Sequence, residues 1–266
     1  MGFFLGVERS LTGRPWRARL DAAGEARALA IAQVGGQSEL MARVLAGRGV
    51  KLDEVARHLE PTLRELMPDP FTLREMETAT ARLARAVERG ERVAIFGDYD
   101  VDGAASAALL SEYLEACGCP TSIHIPDRVA EGYGPNSAAM AEFARAGAKL
   151  VVTVDCGAVS HEPIAEAKRL GLDVIVFDHH HAPEKPPDAF AVVDPNRQDD
   201  LSGLGYLCAA GVVYMGLVAL NRALREAGFF HGRAAARRRP PRRTAPPGPA
   251  ACAGASPQGP AARRRD

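Results

Sequence analysis

Residues 92–103 read RVAIFGDYDVDG. A short, unbroken apolar run meets a glycine, then three aspartates at alternate positions (98, 100 and 102), then a second glycine. The run is too short for a helix and rich in residues that favour extended backbone, which predicts a strand over 92–96. Helical spacing follows over 104–116. A strand that ends in a glycine-bounded acidic turn and opens into a helix is the repeating unit of a parallel α/β sheet.

The same alternation continues outward. TSIHI (121–125), LVVTV (150–154), DVIVF (173–177) and a shorter AFAVV (189–193) read as four more strands. Helical stretches over 137–146, 161–170 and 207–225 separate or follow them. In the last of these, Ala209, Ala210, Gly211 and Gly216 permit close packing. Near-continuous Val/Ile runs suit strands covered on both faces, so the fold class is α/β, a parallel doubly wound sheet. Residues 1–88 carry no strand signal. Segments 37–46, 52–60 and 73–89 look helical, with Pro61, Pro68 and Pro70 as breaks, which predicts a helical N-terminal extension. The expected division is 1–88, 89–230 and a tail from 231 to 266.

Composition narrows the class. The chain has 266 residues, 47% of them hydrophobic, enough to build a packed core. No apolar window is long enough for a transmembrane helix, and MGFFLGVERS lacks the basic lead and apolar stretch of a signal peptide. Five scattered cysteines point to a reducing compartment, so the expected location is the cytoplasm. The balance of 33 basic and 33 acidic residues conceals an asymmetry. The last 36 residues hold nine Arg and a single acidic residue, a net of +8, which leaves −8 on the first 230. This tail has no Leu, Ile, Val, Met, Phe, Tyr or Trp and is expected to be disordered. Its arginines suit a basic arm for nucleic acid. Its Arg/Pro/Ala/Gly composition also matches a GC-rich gene read out of frame, the reading preferred here.

Ligands of open α/β sheets bind beyond the carboxyl ends of the strands. Asp98, Asp100 and Asp102 follow the first strand; Asp155, Cys156 and Gly157 follow the third; Asp178, His179, His180 and His181 follow the fourth. Five carboxylates and three imidazoles at one edge would repel and perturb one another unless a cation held them. A mixed Asp/His donor set suits Mn²⁺ or Mg²⁺. Two ions bridged by Asp155 would activate a water for phosphoryl displacement. An EF-hand loop is the rival for 98–103, but its twelfth position, which needs Glu, is Leu109, and a strand precedes it.

Three adjacent histidines cannot all face one ion. His179 is the expected ligand, and His180 the group that contacts phosphate or orients a ligand; His181 is expected to be exposed. Asp178 is either a ligand or the partner of a histidine N–H. Cys156 is read as packing, and His124 carries no role. In the loop IPDRVAEGYGPN (125–136), Arg128 suits a phosphate and Tyr133 suits stacking on a base.

Taken together, GDYDVDG, TVDCG, VFDHHHAP and IPDRVAEGYG resemble the DHH phosphoesterase superfamily, and within it the bacterial exonucleases specific for single-stranded DNA. The resemblance runs from about Arg92 to Leu220, and the helical extension suits the same branch. It implies a two-metal hydrolase using Mn²⁺ or Mg²⁺ that degrades single-stranded DNA from the 5′ end during recombination and repair, with DNA-repair proteins as partners. By the same resemblance Asp100, Asp102, Asp155 and His179 match metal ligands, Asp98 the first acid of the first motif, and His180 the companion histidine. The catalytic set is then Asp155, His179 and His180, with Arg128, Tyr133 and His180 on the substrate.

Three departures stand out. Phe96 occupies a position where many superfamily members have histidine. A further metal-binding Asp belongs after the long helix, yet no Asp occurs between Asp200 and Asp266. The resemblance also implies a second phosphoesterase domain and an oligonucleotide-binding fold, which are expected to be absent from this chain. The expectation is therefore weak or no exonuclease activity. The alternatives are another DHH hydrolase acting on oligoribonucleotides, cyclic dinucleotides or pyrophosphate, and a non-catalytic nucleic-acid-binding fragment.

Overall fold

The structure, a computed structural model, describes residues 3–231. The tail expected over 231–266 therefore lies, apart from His231, outside the described residues. No helix among the described residues is long and apolar enough to cross a membrane.

The chain divides into two compact units, one ending at Thr72 and one beginning at Leu73. In the first unit, α1 (Ala22–Gly35) and α2 (Glu39–Gly47) pack on each other, followed by the short helices α3 (Val55–Leu59) and α4 (Leu63–Leu66). Asp21 caps α1 by accepting from the Gly24 N–H at 2.7 Å, and Ser38 caps α2 through Met41. Ile31, Ala42, Leu45 and Val55 form its small core.

The second unit starts with α5 (Met76–Arg89), which the sequence places with the N-terminal extension. Its buried face (Met76, Ala79, Leu83, Ala86, Val87) packs on the sheet unit instead, against the last helix and the last strand. Then come β1 (Val93–Gly97), α6 (Val101–Ala116), β2 (Thr121–His124), α7 (Ser137–Arg145), β3 (Leu150–Val154), α8 (His161–Arg169), β4 (Asp173–Phe177), β5 (Ala191–Val193) and α9 (Ala209–Glu226). The five strands are all parallel, in the order β2-β1-β3-β4-β5.

Strand parity explains the two covering layers, because successive side chains leave a strand on opposite faces. Ala94, Phe96, Val151, Val174, Val176 and Val192 share a core with Met140 and Phe143 of α7 and Ile164 and Ala167 of α8. The opposite face meets α6, α9 and α5. Gly216 is what lets α9 sit down on β4, since a Cβ there would lie 2.8 Å from the Phe177 ring. The chain leaves β1 toward β2 on one side and returns to β3 on the other, so the strand order reverses between β1 and β3. Right-handed crossovers then put α6 and α8 on opposite faces and open a crevice at that reversal.

Candidate metal centre

The register aligns the strand ends. Gly97 pairs with Val154, Val154 with Phe177, and Phe177 with Val193. The next residues on β1, β3, β4 and β5 are Asp98, Asp155, Asp178 and Asp194, so four aspartates stand level along one edge. The ladder runs one step further to hold them: Asp98 N–H donates to Val154 O, Asp155 N–H to Phe177 O, and Asp178 N–H to Val193 O. All four are buried, with at most 5% of their surface exposed. Neighbouring strands lie about 4.8 Å apart, so the row concentrates charge that water cannot screen.

Each carboxylate meets this differently. Asp178 is the best satisfied: it accepts from His180 Nδ1 at 2.7 Å and from the Ala158 and His179 N–H groups. Burial opposes its ionisation, but these donors outweigh burial and hold its pKa below the ordinary value. In return the Asp178 hydrogen bond pushes His180 up to about 9. Asp98 accepts from Tyr99 N–H but is raised, chiefly by burial. Asp100 is exposed, caps α6 by accepting from the Gly103 and Asp102 N–H groups, and is lowered mainly by the Gly103 bond. Gly103 makes that turn possible, because a Cβ there would come within 2.4 Å of Asp98 O.

Asp155 is the outlier. Neither of its carboxylate oxygens receives a hydrogen bond, although both are buried. Burial, then the Asp100 carboxylate, raises its pKa to about 7. Its backbone is left-handed, with φ of 62°, a conformation Asp tolerates better than most residues. A buried carboxylate without donors is costly unless a cation meets it. Two groups of donor atoms gather around it within 4.8 Å of one another: Asp98, Asp100 and Asp155, and Asp155, His179 and His180. Asp155 is common to both.

His179 is aimed from behind. Its Nδ1 lies 3.2 Å from Leu207 O, which fixes that nitrogen as the donor and leaves Nε2 facing Asp155 Oδ1 at 3.3 Å. Asn196 Nδ2 donates to the His179 carbonyl. Tyr133 Oη lies 3.3 Å from Asp155 O and 3.5 Å from His180 Nδ1, which brings the 125–136 loop to the site. Arg128 stacks on Tyr99 at 4.8 Å instead of reaching the aspartates.

Asp102 is placed otherwise. Its two oxygens accept from the Ala209 and Ala210 N–H groups at 2.8 Å each, so it caps α9, and it belongs to neither donor group. Its nearest approach to His179 Nε2 is 3.8 Å. His181 is exposed. His124 pairs with Glu131 at 2.9 Å and stacks on Phe96. The Cys156 thiol is buried, bonded to Val154 O, and raised well above its ordinary pKa by burial, so it is no nucleophile.

The residue missed in the sequence is Asp194. It is fully buried, burial raises it to about 7, and its Oδ2 has no partner. The signal was present: VVDPN (192–196) ends the fifth strand in an acid, as the other strands do.

An open sheet with carboxylate and imidazole donors converging at its switch point defines a class of cation-dependent α/β domains. Residues 92–230 match the family model "DHH family, N-terminal domain", and the chain belongs to the DHH family. It is 37% identical over 195 residues to the single-stranded-DNA-specific exonuclease RecJ of Salmonella typhimurium, covering 73% of this chain and 33% of that protein. To RecJ of Bacillus subtilis it is 35% identical over 175 residues, covering 66% of this chain and 22% of that one. A solved RecJ from Thermus thermophilus in complex with Mn²⁺ superposes with a TM-score of 0.61 at 29% identity, covering 75% of this chain and 28% of the other. A second RecJ structure, bound to manganese, gives 0.53 at 36% identity over 57% of this chain and 38% of that one. The chain thus spans a third or less of the length of these curated relatives.

Proposed function

We propose that this chain carries the metal-binding half of a two-metal phosphodiester hydrolase that digests single-stranded DNA from the 5′ end in the cytoplasm, in DNA repair and recombination. The observation that carries the reading is Asp155: a buried carboxylate with no donor on either oxygen, shared by two sets of ligand atoms. The residues suit hard or borderline divalent cations, and the relatives' manganese-bound structures support the same choice. Asp98, Asp100 and Asp155 hold one Mn²⁺ or Mg²⁺ ion; Asp155 and His179 hold the other. When bound, the ions supply a nucleophilic water and neutralise charge on the phosphate.

The remaining tasks fall to the protein. His179 presents Nε2 because Leu207 O fixes the tautomer at Nδ1. His180, kept cationic by Asp178, donates to a phosphate oxygen, and Tyr133 stacks beside it or steadies its ring. Arg128, stacked on Tyr99, would meet the phosphate backbone by leaving that ring. Asp102 anchors α9 through the Ala209 and Ala210 N–H groups, with Oδ2 3.8 Å from His179 Nε2 at the edge of the donor groups.

Manganese titration by calorimetry tests this on wild type and Asp155→Ala, alongside hydrolysis of a 5′-phosphorylated single strand and of a dinucleotide. Wild type is expected to bind two ions and to cleave the strand in preference to the dinucleotide, with both properties lost in the variant. Undiminished manganese binding by Asp155→Ala would refute the site.

A further inference from the structure

We propose that the N-terminal unit carries a second contact for single-stranded DNA, in a groove between the 3–20 strap and α2. The strap folds back on itself: Phe4 N–H donates to Trp16 O, Trp16 N–H to Val7 O, and Ser10 N–H to Arg14 O. Between it and α2 lies a cavity of about 510 Å³ lined by Phe4, Arg17, Arg19, Arg43, Val44 and Arg48. Two of its guanidiniums are committed within the unit. Arg43 forms a bidentate pair with Glu25 at 2.6 and 2.7 Å, and Arg19 Nε donates to Gly47 O at 2.9 Å. The guanidiniums of Arg17 and Arg48 have no acidic or hydrogen-bonding partner among the described residues, and both residues are exposed.

The same strap offers aromatic faces. Phe4, which lines the cavity, is 45% exposed, as is Val44 across from it; Phe3 and Trp16, elsewhere on the strap, are 40% and 47% exposed. Exposed rings cost free energy in water, and so close to unneutralised guanidiniums they form the pairing that sequence-tolerant single-strand sites use. Bases stack on the rings while phosphates meet the arginines. A duplex keeps its base faces stacked inside and leaves the rings without a partner. An acidic peptide satisfies the arginines alone. The inference deepens the proposed function by giving the same substrate a foothold outside the metal centre; only the choice of strand rests on that reading.

Trp16 is the single tryptophan of the chain and its carbonyl accepts from the Phe4 N–H, so its fluorescence reports on the strap that carries Phe4 and Arg17. The full chain in EDTA is titrated with labelled oligo(dT), following both tryptophan emission and label anisotropy over a range of salt. Emission is expected to be quenched on binding. Arg17→Ala/Arg48→Ala is expected to bind about tenfold more weakly, with a salt slope shallower by about 1.4, two phosphate contacts at ~0.7 each. Arg17→Lys/Arg48→Lys retains the slope, which separates charge from any loss of folding. No binding by label anisotropy, equal binding of a poly-glutamate peptide in competition with the DNA, or wild-type affinity and slope in the alanine variant would each overturn the groove. Failure of manganese-dependent cleavage with these binding results intact would remove the proposed hydrolase and leave the groove standing.

Discussion

At the residue scale the protein holds two buried aspartates that differ in purpose. Asp155 and Asp194 stand level on the same edge, both raised to about 7, and each has an oxygen without a donor. Only Asp155 shares a donor group with other ligands. Replacing either by Asn removes a buried charge that has at most one hydrogen-bond donor, so both variants are expected to be more stable than wild type in EDTA, by roughly 1–3 kcal/mol each. Asn also tolerates the left-handed backbone at 155. Manganese separates them: it is expected to stabilise Asp194→Asn as it does wild type, and to leave Asp155→Asn unchanged. Differential scanning calorimetry with and without Mn²⁺ decides it, and equal responses would contradict the assignment of Asp155. The same shifts fix a pH dependence. Folded-state pKa values raised above unfolded ones stabilise the fold while the group is protonated, and that stability is lost as pH rises. For Asp155 and Asp194 the loss runs from about 4 to about 7, and for His180 from about 6.5 to about 9. Asp178 is lowered, so its contribution changes only below about pH 4. The metal-free protein is therefore expected to lose stability steadily from pH 5 to pH 9. A melting temperature that climbed over that range would contradict the signs.

At the scale of elements the main unread contact is Asp102. Its spacing from Asp98 and Asp100 makes it look like a third ligand of one loop, yet it caps a helix 107 residues further on. Nothing local encodes that bond. Asp102→Ala is expected to cost about 1 kcal/mol at the α9 N-terminus. Because Leu207 O, just before α9, also fixes His179, manganese affinity should fall by roughly 10–100-fold as that ligand loses its support. Asp102→Asn keeps an accepting oxygen and should retain most of both. Complete loss of manganese in the Asn variant would instead make Asp102 a ligand. Much else was legible. β3 and β4 fall on the runs LVVTV and DVIVF because buried parallel strands need apolar residues on both faces. β1 extends to Gly97, which still pairs with Val154. α6 begins at Val101, three residues before its apolar spacing, because Asp100 caps it. β5 contracts to Ala191–Val193, held at its end by Arg197, which is buried and donates to Val192 O and Asp199. α1 escaped notice although Asp21 caps it, since its Ala-rich run lacks a sharply apolar face. Convergence of Asp155 and His179 was readable from strand order; the orientation of each imidazole was not, because it depends on a carbonyl 28 residues away.

At the scale of the whole molecule, the question is what a site this open can accomplish. Asp100 and His180 are exposed and Tyr133 is half exposed, so among the described residues one side of the centre is uncovered. Hydrolases gain much of their rate by excluding water and by holding the substrate in a fixed attack geometry. An open rim can bind cations through its carboxylates yet hold a phosphodiester only loosely. The expected behaviour is manganese binding with slow, distributive cleavage: a 5′-phosphorylated strand is released after one or a few cuts, and the rate rises in proportion to DNA concentration without saturating in the micromolar range. A trap experiment measures this, with excess unlabelled oligo(dT) added after the labelled strand is bound. Digestion of the labelled strand should stop advancing toward its 3′ end once the trap is present. Deleting 231–266 separates the contribution of the nine tail arginines, since an electrostatic tether lowers the concentration at which cleavage begins without changing how many cuts follow each encounter. Uninterrupted digestion past the trap would mean that this chain grips its strand unaided, and the groove of the N-terminal unit would be the first place to look for that grip.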